Sequence, residues 1–238
     1  MRVGLIHGAW HTGQSWSLLQ DSLAGRGIAS DAVTLPSDEP GLDSGDYAEF
    51  ATRAWSEIDE DMVLVAHSLG GLTAPVIAGL RPVSMIVYIG ALLPEVGKSL
   101  AEQREGRPTM TQRWRTEYLP QQHREDNGNT WWSPDLAEEI FYHDCPPDVA
   151  REAAAQLRQQ AAAPIIGRTP LTAMPEVPSA SIVCRDDRVV DPDWSRDAAR
   201  DRLGVEAREM PGGHSPFLAR PDRLAEEIID IAGGFGLR

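Results

Sequence analysis

The chain has 238 residues, 42% of them hydrophobic, which is enough for one domain with its own core or one domain carrying an insertion. Its 36 acidic residues outnumber 22 lysines and arginines, and the formal net charge of −14 argues against a nucleic-acid backbone or an anionic membrane as partner. No apolar run reaches about 18 residues, the start "MRVGLIHG" lacks the regions of a signal peptide, and Cys145 and Cys184 suggest neither a disulfide framework nor a metal pair, so a cytoplasmic, membrane-free protein is expected.

In chain order, "RVGLIHG" reads as a first strand, and the glycine of "LIHGAW" lets the backbone bend just beyond it, so that the Ala9 amide can turn toward the strand ends. Residues 13–25 follow as a helix with Trp16, Leu19 and Leu23 on one face. "ASDAVTLP" is the second strand, 47–58 the next helix, "MVLVAHS" the third strand, 72–80 its helix, and "VSMIVYIGALLP" the fourth strand. These runs are apolar throughout rather than alternating, as strands covered on both faces require. The pattern predicts an α/β fold built on a parallel sheet with helices on both sides.

The alternation then stops. Residues 94–165 are polar at first and helical later ("SPDLAEEIFYHD", "PPDVAREAAAQLRQQAA"), with no strand signal, and are too long for a loop. We expect a helical cap there, inserted into a core made of 1–93 and 166–238. Beyond it, "ASIVCRDD" is a fifth strand, 193–203 a helix, "VEAREMPGG" a sixth strand, and 221–231 a helix with proline in its first turn.

Chemistry concentrates where the strands end. In "VAHSLGG" a strand must become a helix within a residue or two, which forces the turning residue into an unfavourable backbone conformation beside small neighbours. Ala66, Gly70 and Gly71 supply that room, and Ser68 would project its hydroxyl over a helix N-terminus. This is the G-x-S-x-G nucleophile elbow with alanine for the first glycine. "GGHSPFLARP" puts His214 after the last strand, and "SIVCRDDRVVDP" puts Asp186, Asp187 and Asp191 after the one before it. A serine hydroxyl needs a base, and the base needs a carboxylate to hold its tautomer, so the order Ser, Asp, His at strand ends is the chemistry of acyl transfer. The amides of Ala9 and Leu69 would form an oxyanion hole.

With these residues in view, "HGAWHTGQSW", "VAHSLGG" and "GGHSPFLARP" resemble the α/β-hydrolase superfamily, in the branch of plant methylesterases, hydroxynitrile lyases and their bacterial esterase relatives. The resemblance implies an α/β-hydrolase fold with a six-stranded, mainly parallel sheet beginning at residue 2, a cap after the fourth strand, and catalytic Ser68 and His214. Its spacing of small residue, acid and apolar pair, matched on Cys184, Asp187, Val189 and Val190, selects Asp187; Asp186 should face away, and Asp191, before Pro192, is then a helix cap. The lyases carry a lysine where Ser215 stands and a threonine where Gly8 stands, so hydrolysis is the expected reaction.

The expected function is cofactor-independent, metal-free hydrolysis of a small or medium carboxylic ester through an acyl-enzyme. The rivals are lactone or thioester cleavage, a lyase or cyclase step on the same triad, and a binding or receptor protein. Trp10, with His11 beside it, and Trp114, Trp131, Trp132 and Trp194 in or beyond the cap are candidate pocket residues, though ordinary cap-to-core packing would explain the tryptophans as well. His7 should steady the bend after the first strand and His67 should pack beside the elbow, while His123 and His143 read as structural or surface residues. No oligomeric state is implied.

Overall fold

The computed structural model describes residues 1–103 and 107–237. Its strands, in chain order, are β1 (Arg2–Ile6), β2 (Ala29–Val33), β3 (Met62–His67), β4 (Val83–Ile89), β5 (His123–Arg124), β6 (Thr130–Trp131), β7 (Ser179–Cys184) and β8 (Arg208–Met210). Six of them form one sheet in the order β2-β1-β3-β4-β7-β8, with every neighbouring pair parallel. All the strands expected for the core are therefore present. The central ones are buried along their length, Met62 to His67 completely, whereas edge strand β2 is half exposed and carries Asp31, paired to Arg2 at 2.7 Å. A charged, part-solvated edge discourages pairing with another chain.

The helices are α1 (Ser17–Ala24), α2 (Ser44–Ala54), α3 (Ala74–Leu80), α4 (Pro134–Phe141), α5 (Pro147–Ala155), α6 (Ala163–Ile166), α7 (Pro192–Ala198), α8 (Pro216–Ala219) and α9 (Pro221–Gly234). α1 packs on α8 and α9, and α2 on α3. Right-handed crossovers send a helix returning to β2 and one advancing to β4 to opposite faces, so the two groups form separate layers over the sheet. Helix α2 begins ahead of the expected 47–58 because Asp43 caps it. The Asp43 carboxylate accepts the Gly45 amide at 2.7 Å, and Asp46 reaches back to the Asp43 amide at 2.9 Å.

The segment between β4 and β7, which includes residues 104–106 outside the described set, departs from the all-helical expectation. Besides α4, α5 and α6 it holds an antiparallel hairpin, β5 with β6, extended by a bridge between Thr130 and Gln160. "EDNGN" makes the turn, with Gly128 at φ +86° and the Glu125 amide donating to Asn129 O at 2.8 Å. The Asn-Gly pair carried that signal. Each flanking strand is only a residue pair long, which is below what hydrophobic alternation can reveal.

Candidate active site

Strand β3 ends at His67, and Ser68 follows with φ +50°, a conformation L-residues avoid. The glycines around it are forced by contact. A Cβ on Gly70 would stand 2.6 Å from His7 O, one on Gly71 2.4 Å from Leu92 O, and one on Gly8 2.7 Å from Ser68 Cβ. The Ser68 carbonyl accepts the Leu92 amide at 2.9 Å, which ties the turn to the end of β4. Ser68 thus sits at the carboxyl end of a central strand with the first turn of a helix behind it.

His214 and Asp187 meet after β8 and β7. His214 Nδ1 and Asp187 Oδ2 are 2.8 Å apart, both side chains 1% exposed. The other carboxylate oxygen accepts the amides of Val189 at 2.7 Å and Val190 at 3.1 Å, so the acid is held in one orientation. An ionised carboxylate only accepts, so in this bond Nδ1 is the donor and Nε2 is the ring nitrogen left for other partners. Asp186 is exposed and receives the Gly212 amide at 2.8 Å, and Asp191 caps α7 through the Trp194 amide at 3.0 Å.

Three further groups hold the His214 segment that the sequence reading did not identify. His67 Nε2 donates to His214 O at 2.8 Å with the rings 4.5 Å apart. Asp144, beyond α4, accepts the Gly213 amide at 2.9 Å and pairs with Arg220. Gly90, at φ +47° just past β4, leaves space that a Cβ would fill 3.1 Å from Asp187 Oδ2 and 3.6 Å from His214 Nδ1. His67 was expected beside the elbow but not bonded to His214, and a glycine inside an apolar run, as Gly90 is in "VSMIVYIGALLP", is the signal that could have drawn attention to that position.

Trp10 is the only non-glycine besides Ser68 with positive φ among the described residues, at +63°. Its carbonyl accepts the Arg158 amide at 2.7 Å and its indole N–H donates to Thr130 Oγ1 at 3.1 Å. The bend before it is steadied by His7, whose Nε2 accepts the Leu35 amide at 2.9 Å while Nδ1 donates to Gly8 O at 2.8 Å. Burial, against which the bond to Gly8 works only in part, pushes the His7 pKa down to about 4, so the ring is neutral as this pattern requires. His11 is built the same way. Its Nδ1 donates to Ala9 O at 2.7 Å, Nε2 accepts the Tyr142 hydroxyl at 2.9 Å, and burial lowers its pKa to about 3.

Ala9, Trp10, Ser68 and Leu69 line a cavity of about 330 Å³, walled otherwise largely by aliphatic and aromatic side chains such as Leu92, Trp114 and Ile165. Of the residues expected to line a pocket, Trp10 and Trp114 do. Trp132 is buried behind it at 5.6 Å between ring centroids, and His11 borders a separate cavity of about 160 Å³. Trp131 stacks outward on His123 at 4.0 Å, because consecutive strand residues point to opposite sides. Leu92 and Val189 take the place of the others. Among the described residues no group of three or more His, Cys, Asp or Glu could hold a metal ion, and no helix is long and apolar enough to cross a membrane.

The alpha/beta hydrolase family profile matches residues 5–227. The chain belongs to the alpha/beta hydrolase family. It is 27% identical to the pyrethroid hydrolase of Sphingobium wenxiniae over 96% of this chain and 86% of that one. It is 24% identical to methylesterase 2 of Arabidopsis thaliana over 97% of this chain and 95% of that one. A crystal structure of a pyrethroid hydrolase superposes with a TM-score of 0.81 at 24% identity, covering 99% of this chain and 98% of that one. The branch suggested by the motifs, that of the methylesterases and their bacterial relatives, is borne out.

Proposed function

We propose that this alpha/beta hydrolase is a serine esterase that cleaves a small or medium carboxylic ester through an acyl-enzyme. One observation carries the reading. Ser68 is held with strained backbone on the wall of an apolar cavity, at the same sheet edge as a buried carboxylate–histidine pair. Ser68 Oγ attacks the ester carbonyl carbon while His214 Nε2 takes its proton. The Ala9 and Leu69 amides receive the oxyanion. His214 returns the proton to the leaving alkoxide, and the alcohol departs. Water then attacks the acyl-enzyme with His214 as base, releasing the acid and restoring Ser68. Asp187 fixes the Nδ1–H tautomer and steadies the imidazolium at each step.

Residues 94–165 act as a cap over this site, supplying Trp114 to its wall. The named relatives, a pyrethroid hydrolase and methylesterases, support ester cleavage by analogy. Gly8 and Ser215 support hydrolysis over cyanohydrin cleavage, since neither the threonine hydroxyl nor the lysine carried by the lyases is present at these positions.

The test is Ser68→Ala with a short-chain p-nitrophenyl ester. Loss of kcat on the order of 10⁴-fold or more is expected, together with loss of labelling by a fluorophosphonate. Unchanged turnover in the variant, or wild type that neither labels nor hydrolyses any ester, overturns the reading.

A further inference from the structure

The cavity beside Ser68 has an uneven distribution of polarity. Most of its wall is apolar, yet among the described residues it contains one charged side chain, Arg124 of β5, with Gln122 near it. Arg107, Arg113 and Arg158 in the same inserted segment each sit against a carboxylate, at 3.2, 2.6 and 2.5 Å, while Arg115 and Arg151 lie outside the cavity lining. Arg124 has none among the described residues; its one hydrogen bond there is a long contact, 3.3 Å, to Gly128 O. In a chain of net charge −14, no carboxylate lines this cavity among the described residues.

The mouth is also apolar. Leu119 and Ile166 both line the cavity and are 45% and 64% exposed, two of the few large apolar side chains left in solvent. One such residue alone would mean nothing, but two on the same rim extend the apolar wall outward.

We infer that the substrate is an amphiphilic ester whose apolar body reaches from Ser68 to the Leu119–Ile166 rim and whose far end bears an anion, such as a carboxylate, held by Arg124. The inference rests on the esterase reading above. The negative field of the whole protein repels an anionic substrate, so a local cation is what makes such a ligand acceptable. Placing the anion at the rim keeps it partly hydrated and avoids the cost of burying a charge in an apolar cavity. A guanidinium also receives a carboxylate through two parallel N–H groups, which a lysine would not.

The experiment compares kcat/KM for mono-p-nitrophenyl esters of linear dicarboxylic acids, free carboxylate against its methyl-capped counterpart, over a range of chain lengths. A second series places the carboxylate on the alcohol half. In at least one series the free acid is preferred at one length by about tenfold, the worth of one charge-assisted hydrogen bond partly screened by water. Arg124→Gln brings the ratio of charged to neutral substrate to one or below, Arg124→Glu lowers it further, Arg124→Lys restores part of it, and added salt reduces it. Esters turned over in a Ser68-dependent way with ratios that ignore Arg124 in both series overturn this inference and leave the esterase standing. Absence of ester turnover and of fluorophosphonate labelling removes both.

Discussion

The acid that serves His214 is one of three aspartates in a single loop, and the residues around it separate their roles. Asp187 makes the 2.8 Å bond to the imidazole, Asp186 holds the Gly212 amide, and Asp191 caps α7. Asp187→Asn should therefore lower kcat by about 10²- to 10⁴-fold through the wrong tautomer, whereas Asp191→Asn should cost roughly 1 kcal/mol of stability and keep turnover. Steady-state kinetics and urea unfolding on both variants separate these outcomes, and an inactive Asp191 variant beside a normal Asp187 one contradicts the assignment. Gly90→Ala forces a left-handed residue to carry a Cβ 3.1 Å from Asp187 Oδ2. The backbone term alone is about 1–2 kcal/mol, and kcat should fall further than stability predicts because the acid and the imidazole are displaced together. A Gly90→Ala enzyme with wild-type kcat would show that the pair tolerates the shift. As candidates, Ser68, His214 and Asp187 stood out in the sequence because each follows a strand end, Ser68 beside the small residues that a sharp turn requires. Gly90 lies within the run "VSMIVYIGALLP" and was not singled out there; the distances around it give it its part.

Among elements, the strands of the large sheet were legible because burial on both faces writes itself as unbroken apolar runs, "MVLVAH" above all. The β5–β6 hairpin was not, since its pairing consists of His123 with Trp131 and Arg124 with Thr130 and nothing longer. Trp131 and Trp132 show the same limit. Both were expected in the pocket, but without the strand assignment there was no way to see that one turns out to stack on His123 and the other turns in toward Trp10. The link from α4 to the His214 segment was equally hidden, because Asp144 and Gly213 lie 69 positions apart and nothing local in either announces the other. Asp144→Ala strands the Arg220 guanidinium and the Gly213 amide, and should cost about 1–3 kcal/mol of stability. If the contact positions His214, the rate of fluorophosphonate labelling at Ser68 falls as well, at temperatures where the variant is fully folded. Normal labelling in a destabilised variant would assign Asp144 a purely structural part.

At the scale of the whole molecule, three buried neutral histidines set how the fold responds to acid. Burial lowers the pKa of His7 to about 4 and of His11 to about 3, and puts His67 well below 6.5. In the unfolded chain these rings take up protons as the pH falls below 6.5, while the native ones resist until about 4 and 3. Unfolding then binds protons, so stability is complete above pH 6.5 and declines as the pH falls from there toward 4, by on the order of 1.4 kcal/mol per pH unit for each ring. Urea midpoints measured from pH 7.5 to 4.5 should drop across this interval; a flat profile would mean that the rings are protonated in the native state. Composition gave the net charge but could not show this, because burial of a histidine is a property of the assembled core. Trp10 carries a last consequence. Its carbonyl is bonded to the Arg158 amide and its indole to Thr130, so the turn that carries Ala9, the proposed oxyanion donor, is fastened to the inserted segment at two points. That segment is then no interchangeable module: a chimera carrying a relative's residues in place of 94–165 should lose kcat even toward small acetate esters that hardly touch it, and restoring the partners of Trp10 in the graft should recover much of that loss.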